Sequence, residues 1–187
     1  MGVVLLSSPH AEFNIRAGVT STGVVNKNIR GVILMKVIVV YESKYGNTKR
    51  VTEKITEGMN EIGEIDIFSK ELKEVNLENV NDYDAILIGS PNHMGGATKG
   101  IKDFIEELGK LQLNKKMFAV FGTYTKKDFE KGVKNMEKLI TEKVLGLKQI
   151  VPGLSIEVQG VKGPIVETEL PKCREFGKKI ATQLKSG

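Results

Sequence analysis

From Met35 onward the sequence predicts a three-layer α/β/α domain built on a doubly wound, five-stranded parallel sheet. Two observations carry this. Strand-type and helix-type periods alternate along the whole stretch, beginning with a strand. Most strand segments are apolar at every position, the pattern of a strand covered by helices on both faces. Right-handed crossovers leave few topologies, and the expected strand order is 2-1-3-4-5.

The elements follow in order. Val37–Glu42 is an apolar run of strand type. Thr48, Val51, Ile55, Met59 and Ile62 recur at spacings of three and four, one face of a helix that Gly63 ends. Ile65–Phe68 alternates as a short strand, and Leu77, Val80 and Tyr83 suggest a helical turn. Ala85–Gly89 is a buried strand, followed by a helix face at Ala97, Ile101, Phe104, Ile105 and Leu108. Met117–Phe121 is the next strand. Phe129, Val133, Met136, Leu139 or Ile140, and Val144 form the next helix face. Leu154–Val158 is the fifth strand, and Leu170, Cys173, Phe176, Ile180 and Leu184 mark the final helix.

Residues 1–34 read differently. They show no sustained period and lack the basic start and long apolar stretch of a signal peptide. Met35 stands directly before the first strand, where a domain would begin. Residues 1–34 are therefore expected to be a poorly ordered extension, with an edge strand at Gly31–Leu34 as the alternative, and residues 35–187 the folded domain.

Length and composition narrow the function. The chain has 187 residues, enough for one well-buried domain and short for two. Apolar residues make up 40% and charged residues 27%, as in a soluble globular protein. No stretch approaches the about 20 apolar residues of a membrane span. One cysteine permits no internal disulfide, so a reducing, cytoplasmic setting is expected. The formal charge is +5, but lysines alternate with glutamates over several helices, which reads as a solvated surface and not as a nucleic-acid site. His10 and His93 lie far apart, so no histidine-based metal site is expected.

Sheets of this kind bind ligands at the carboxyl ends of strands, near the point where strand order reverses. Three connections there are rich in hydrogen-bonding groups. After the first strand comes Ser43-Lys44-Tyr45-Gly46-Asn47-Thr48, which opens a helix. The unpartnered N–H groups of a helix start, with the positive end of its dipole, suit a phosphate. Gly46 permits close backbone approach, and Ser43, Asn47 and Thr48 add side-chain donors. Walker-A and dinucleotide glycine patterns are absent, which favours a mononucleotide phosphate over ATP or NAD. The plainer alternative is that Ser43 or Asn47 caps the helix. After the third strand comes Ser90-Pro91-Asn92-His93-Met94-Gly95-Gly96, which suits the lining of a flat ligand or a simple strand-to-helix turn. After the fourth, Gly122-Thr123-Tyr124 offers an aromatic ring to a planar ligand, or an ordinary half-buried tyrosine. Lys126-Lys127 reads as a solvated pair or a contact for an acidic partner.

Together these three loops resemble those of the flavodoxin family, short-chain type, and most of all the flavodoxin domain of flavodiiron proteins. The resemblance runs from Met35 to about Leu184. It implies the flavodoxin-like fold, FMN as cofactor, and a role in carrying electrons between redox partner proteins. It implies that Ser43, Lys44, Tyr45, Gly46, Asn47 and Thr48 hold the FMN phosphate. Pro91, Asn92, His93, Met94, Gly95 and Gly96 would line one side of the isoalloxazine, and Gly122, Thr123 and Tyr124 the other. The family's Gly-Trp after the tyrosine is Thr125-Lys126 here, and the diiron domain has no counterpart. The fifth strand has no long insertion, as in the short-chain type. Consecutive glycines suggest that a peptide within Met94-Gly95-Gly96 reorients when the flavin's central nitrogen gains a proton. No residue stands out as a catalytic acid, base or nucleophile, and Cys173 reads as core. The alternatives are an FMN-dependent NAD(P)H:quinone-type oxidoreductase and a flavodoxin-fold binding module that has lost flavin. A monomer or homodimer is expected, binding neither nucleic acid nor membrane.

Overall fold

The computed structural model describes residues 34–125 and 129–186. The expectations for residues 1–33 and for Lys126-Lys127 lie outside the described residues. Within them run β1 (Met35–Tyr41), α1 (Asn47–Ile62), β2 (Ile65–Glu71), β3 (Ala85–Pro91), α2 (Lys99–Leu108), β4 (Lys116–Tyr124), α3 (Lys131–Lys143), β5 (Leu147–Gln149), β6 (Leu154–Glu157) and α4 (Leu170–Ser186). The segment between β2 and β3 holds two 3-10 turns, Leu72–Glu74 and Leu77–Asp82, where a helical turn was expected.

All strand pairs are parallel, in the order β2-β1-β3-β4, with β5 beside β4. The outer edge of β4 is shared. β5 pairs with Lys116–Phe118 and β6 with Phe121–Tyr124, so the fifth position of the sheet is one strand broken at residues 150–153. Pro152 lies in the break and has no N–H to give a ladder. The expected fifth strand is thus β6, and β5, whose Lys148 and Gln149 are exposed, precedes it.

Alternation along the strands divides the core. Val37, Val39 and Tyr41 of β1 face one side, with α1 and α4; Ile38 and Val40 face the other, with α2 and α3. Both faces are covered, which is why the strands lack a polar side. α1 and α4 meet almost backbone to backbone. A Cβ on Gly58 would fall 2.1 Å from the Arg174 carbonyl oxygen, and one on Gly177 2.0 Å from that of Ile55.

Two helix faces begin later than the sequence predicts. Ala97 precedes α2, whose N-cap is Thr98. Phe129 precedes α3 and is 61% exposed, because the chain turns into the helix only at Lys131. No helix among the described residues is long and apolar enough to cross a membrane.

Candidate functional site

The carboxyl ends of β1, β3, β4 and β6 enclose a cavity of about 490 Å3. Three predicted loops meet in it. Ser43, Lys44, Tyr45, Asn47 and Thr48 line it from the β1 connection, Pro91, Asn92 and His93 from the β3 connection, and Thr123 and Tyr124 from β4. Five predicted residues do not line it. Gly46 is the N-cap of α1. Met94 is 95% exposed, and Gly95 lies beside it in the same turn. Gly96 and Gly122 border a small space next to the cavity, and a Cβ on Gly122 would fall 2.8 Å from the Ser90 carbonyl oxygen.

α1 begins as an anion site should. Gly46 has φ 83°, a left-handed conformation that a Cβ would strain. It turns the chain sharply from strand to helix. The first turn of α1 carries no acidic side chain, so its positive dipole end is unneutralised from within. Ser43 Oγ accepts the backbone N–H of Lys49, in the first turn of α1, at 3.2 Å, which leaves the hydroxyl proton to donate elsewhere. Thr48 is buried, and its carbonyl accepts the hydroxyl of Thr52 at 3.0 Å.

The second loop is a tight turn. His93 and Gly96 exchange backbone hydrogen bonds at 2.7 and 3.1 Å, with Met94 at φ 54° and Gly95 at φ 81°. Two positive φ values in succession are the geometry of a two-residue hairpin turn. Asn135 of α3 donates from Nδ2 to the Gly95 carbonyl at 2.7 Å, which fixes the orientation of that peptide. The backbone N–H of Asn92 donates to the Thr123 carbonyl at 2.7 Å, joining the second loop to the third.

Sequence reasoning missed Glu42, Thr98, Thr125, Val158 and Val161, all of which line the cavity. Thr98 donates its hydroxyl to Glu42 Oε2 at 2.5 Å and accepts the N–H of Ile101 at 3.4 Å, so one side chain caps α2 and ties it to the end of β1. Ser90 Oγ accepts the N–H of Thr98 at 3.1 Å and completes the link. An acidic residue ending an apolar strand was the only sequence signal for this clamp. Val158 and Val161 come from the connection after β6. That connection also reaches the loop after β1, where Asn47 Nδ2 donates to the Lys162 carbonyl at 3.0 Å. Tyr124 packs edge-on against Phe129, with ring centroids 5.3 Å apart. Burial, with Glu157 nearby, pushes its phenol above the ordinary tyrosine value.

A family model described as "Flavodoxin domain" matches residues 38–153. The chain belongs to this family. It is 30% identical over 89 residues to a flavodoxin of Clostridium saccharobutylicum, covering 48% of this chain and 56% of that protein. It is 26% identical over 153 residues to the type A flavoprotein fprA of Rhodobacter capsulatus, covering 79% of this chain and 33% of that one. The chain therefore spans between a third and just over half of the length of these curated relatives. Among solved structures, a flavodoxin from the domain Archaea superposes with a TM-score of 0.69 at 27% identity, covering 81% of this chain and 99% of the other. The sheet order of the flavodoxin-like fold thus stands as the sequence predicts.

Proposed function

We propose that this protein is an FMN-binding, flavodoxin-type electron carrier. The observation that carries the reading is the joining, in one cavity, of an anion-ready helix start and a slot walled by two further loops. The donor set fits the cofactor. A phosphate dianion suits the start of α1, whose first turn holds no acid and whose approach holds hydroxyls, an amide and the cation Lys44. A cavity of about 490 Å3 is of the size that cofactor sites have.

Ser43, Tyr45, Thr48 and the backbone at Gly46–Thr48 hold the phosphate. The side-chain nitrogen of Asn47 is engaged by Lys162, so that residue acts chiefly through its backbone N–H. Pro91, Asn92 and His93 bound the ring on one side, and Thr123, Tyr124 and Thr125 on the other. The turn at Met94–Gly96 stands beside that slot. The Glu42–Thr98–Ser90 link keeps the first two loops at a fixed separation. Bound FMN supplies the one- and two-electron chemistry, while the protein sets orientation, burial and hydrogen bonding.

The test is to load the purified protein with FMN, supply NADH or NADPH with a quinone, and separately supply a reduced redox protein. Rapid exchange with the redox protein and no steady quinone turnover supports a carrier. Steady NAD(P)H-driven turnover would make it an oxidoreductase instead.

A further inference from the structure

Charge and apolar surface are both concentrated around the mouth of this cavity. The connection after β1, residues 42–50, carries a formal charge of +2, and that after β3, residues 92–102, another +2. Residues 158–166 after β6 add +1, while the described residues of the connection after β4 carry −1, from Glu130. The segments after β1, β3 and β6 together thus equal the +5 of the whole chain. The connection after β2, residues 72–84 at the far edge of the sheet, carries −3.

Part of the positive charge is matched locally. Arg50 pairs with Glu167, Lys99 with Asp103 and Lys134 with Glu130. Lys44, Lys49, Lys102 and Lys162 enter no ion pair among the described residues. Lys102 lies against the second loop: a Cβ on Gly96 would meet its Nζ at 3.4 Å. Lys162 sits beside the first loop through its carbonyl bond to Asn47.

The large exposed apolar side chains gather in the same place. Of the six among the described residues, Tyr45 and Val161 line the cavity, Met94 tops the adjoining turn, and Phe129 touches Tyr124; only Phe68 and Leu145 lie elsewhere. An apolar centre with a charged surround is the anatomy of a transient docking surface.

Resting on the reading of the cavity as a flavin site, we propose that this face docks a redox protein through an acidic patch on that partner. Met94, Phe129 and Val161 form the dry centre, and Lys44, Lys49, Lys102 and Lys162 form the steering surround. The acidic connection after β2 turns the partner toward the cavity, because it repels the same patch at the far edge. Complementary charge of this kind acts mainly on the encounter rate and fades with salt.

The test uses the FMN-loaded full chain. An absorbance spectrum first establishes that flavin is bound; a protein that binds none overturns both readings at that step. In stopped flow, a dithionite-reduced acidic 2Fe–2S ferredoxin passes one electron from its cluster to the bound flavin. Separately, the reduced protein passes one electron to basic cytochrome c. The slopes against salt are compared, not the absolute rates. The second-order rate constant with ferredoxin should fall roughly tenfold or more between about 20 and about 500 mM NaCl. That with cytochrome c should rise or stay level. Lys102→Glu should lower the ferredoxin rate several-fold at low salt and leave FMN affinity unchanged, and Lys162→Glu should lower that rate as well. Opposite slopes, or ferredoxin rates indifferent to salt and to both substitutions, would overturn the proposal. So would a salt-sensitive dimer in gel filtration that both substitutions dissociate, since the surface would then belong to a second copy of the chain.

Discussion

Replacing Gly177 by alanine sets two opposed effects against each other at the α1–α4 crossing. The position lies inside α4, where exchanging glycine for alanine favours the helix by about 1 kcal/mol. The new Cβ, however, would fall 2.0 Å from the Ile55 carbonyl oxygen and 3.0 Å from the Met59 nitrogen. Ordinary contact begins near 3.4 Å, so the helices must part by about 1.4 Å there. Overpacking of a buried contact costs about 1–3 kcal/mol, and the upper end applies because a backbone carbonyl has no rotamer to escape into. The net loss is about 2 kcal/mol. For a domain of this size that lowers Tm by roughly 4–8 °C. Thermal unfolding of the flavin-free protein, followed by circular dichroism, measures it. Gly46→Ala is the control: nothing lies within 4 Å of its Cβ, and the cost is the left-handed backbone alone, about 1–2 kcal/mol. A Gly177→Ala protein with an unchanged or raised Tm would refute the close-crossing argument, since helix propensity would then have won.

Three further outcomes follow from the site and the core. Thr48→Val keeps the volume of a buried residue and removes its hydroxyl; the loss of one hydrogen bond to a charged group, about 1.5–3 kcal/mol, should weaken FMN binding about 10- to 100-fold by fluorescence titration. Gly95→Ala places a side chain at φ 81° and against Lys131 Cδ at 3.2 Å; a strain of about 1 kcal/mol borne unequally by the two redox states should move a flavin potential by roughly 40 mV, and unchanged potentials would exclude a moving peptide. Burial pushes the Cys173 thiol up to about 12. The native thiol should therefore resist thiol-specific reagents at pH 8 and react once the chain is unfolded. Because the folded pKa is raised, the unfolded chain ionises first, and the stability held below pH 9 should decline as pH rises from about 9 toward 12.

Most of the fold was legible because burial on both faces leaves a strong trace in sequence. The apolar runs Val37–Val40, Ala85–Ile88 and Phe118–Phe121 are all buried strand. β5 left no such trace: it is three residues long, and two are exposed. Phe129 shows the limit of periodicity. It sits at helical spacing from Val133, yet the chain enters α3 only two residues later, and the ring joins the cavity rim through Tyr124. In the site, residues with an obvious local role were visible, namely the polar run Ser43–Thr48 and the glycine turn. Glu42 and Thr98 were not, because their role exists only once β1 and α2 are adjacent, 56 residues apart in sequence. Val158 and Val161 were hidden for the same reason: Val158 reads as the end of a buried strand and Val161 as plain loop until the connection is seen to border a cavity.

The most direct test compares the quenching of FMN and riboflavin fluorescence as the purified protein is added. FMN should be quenched to a 1:1 end point. Riboflavin, which lacks the phosphate, should bind at least about 100-fold more weakly, since a dianion at a helix start gains several charge-assisted hydrogen bonds. Equal affinity for the two would contradict the assignment of Ser43–Thr48 to the phosphate, and no quenching by either would contradict the flavin site itself.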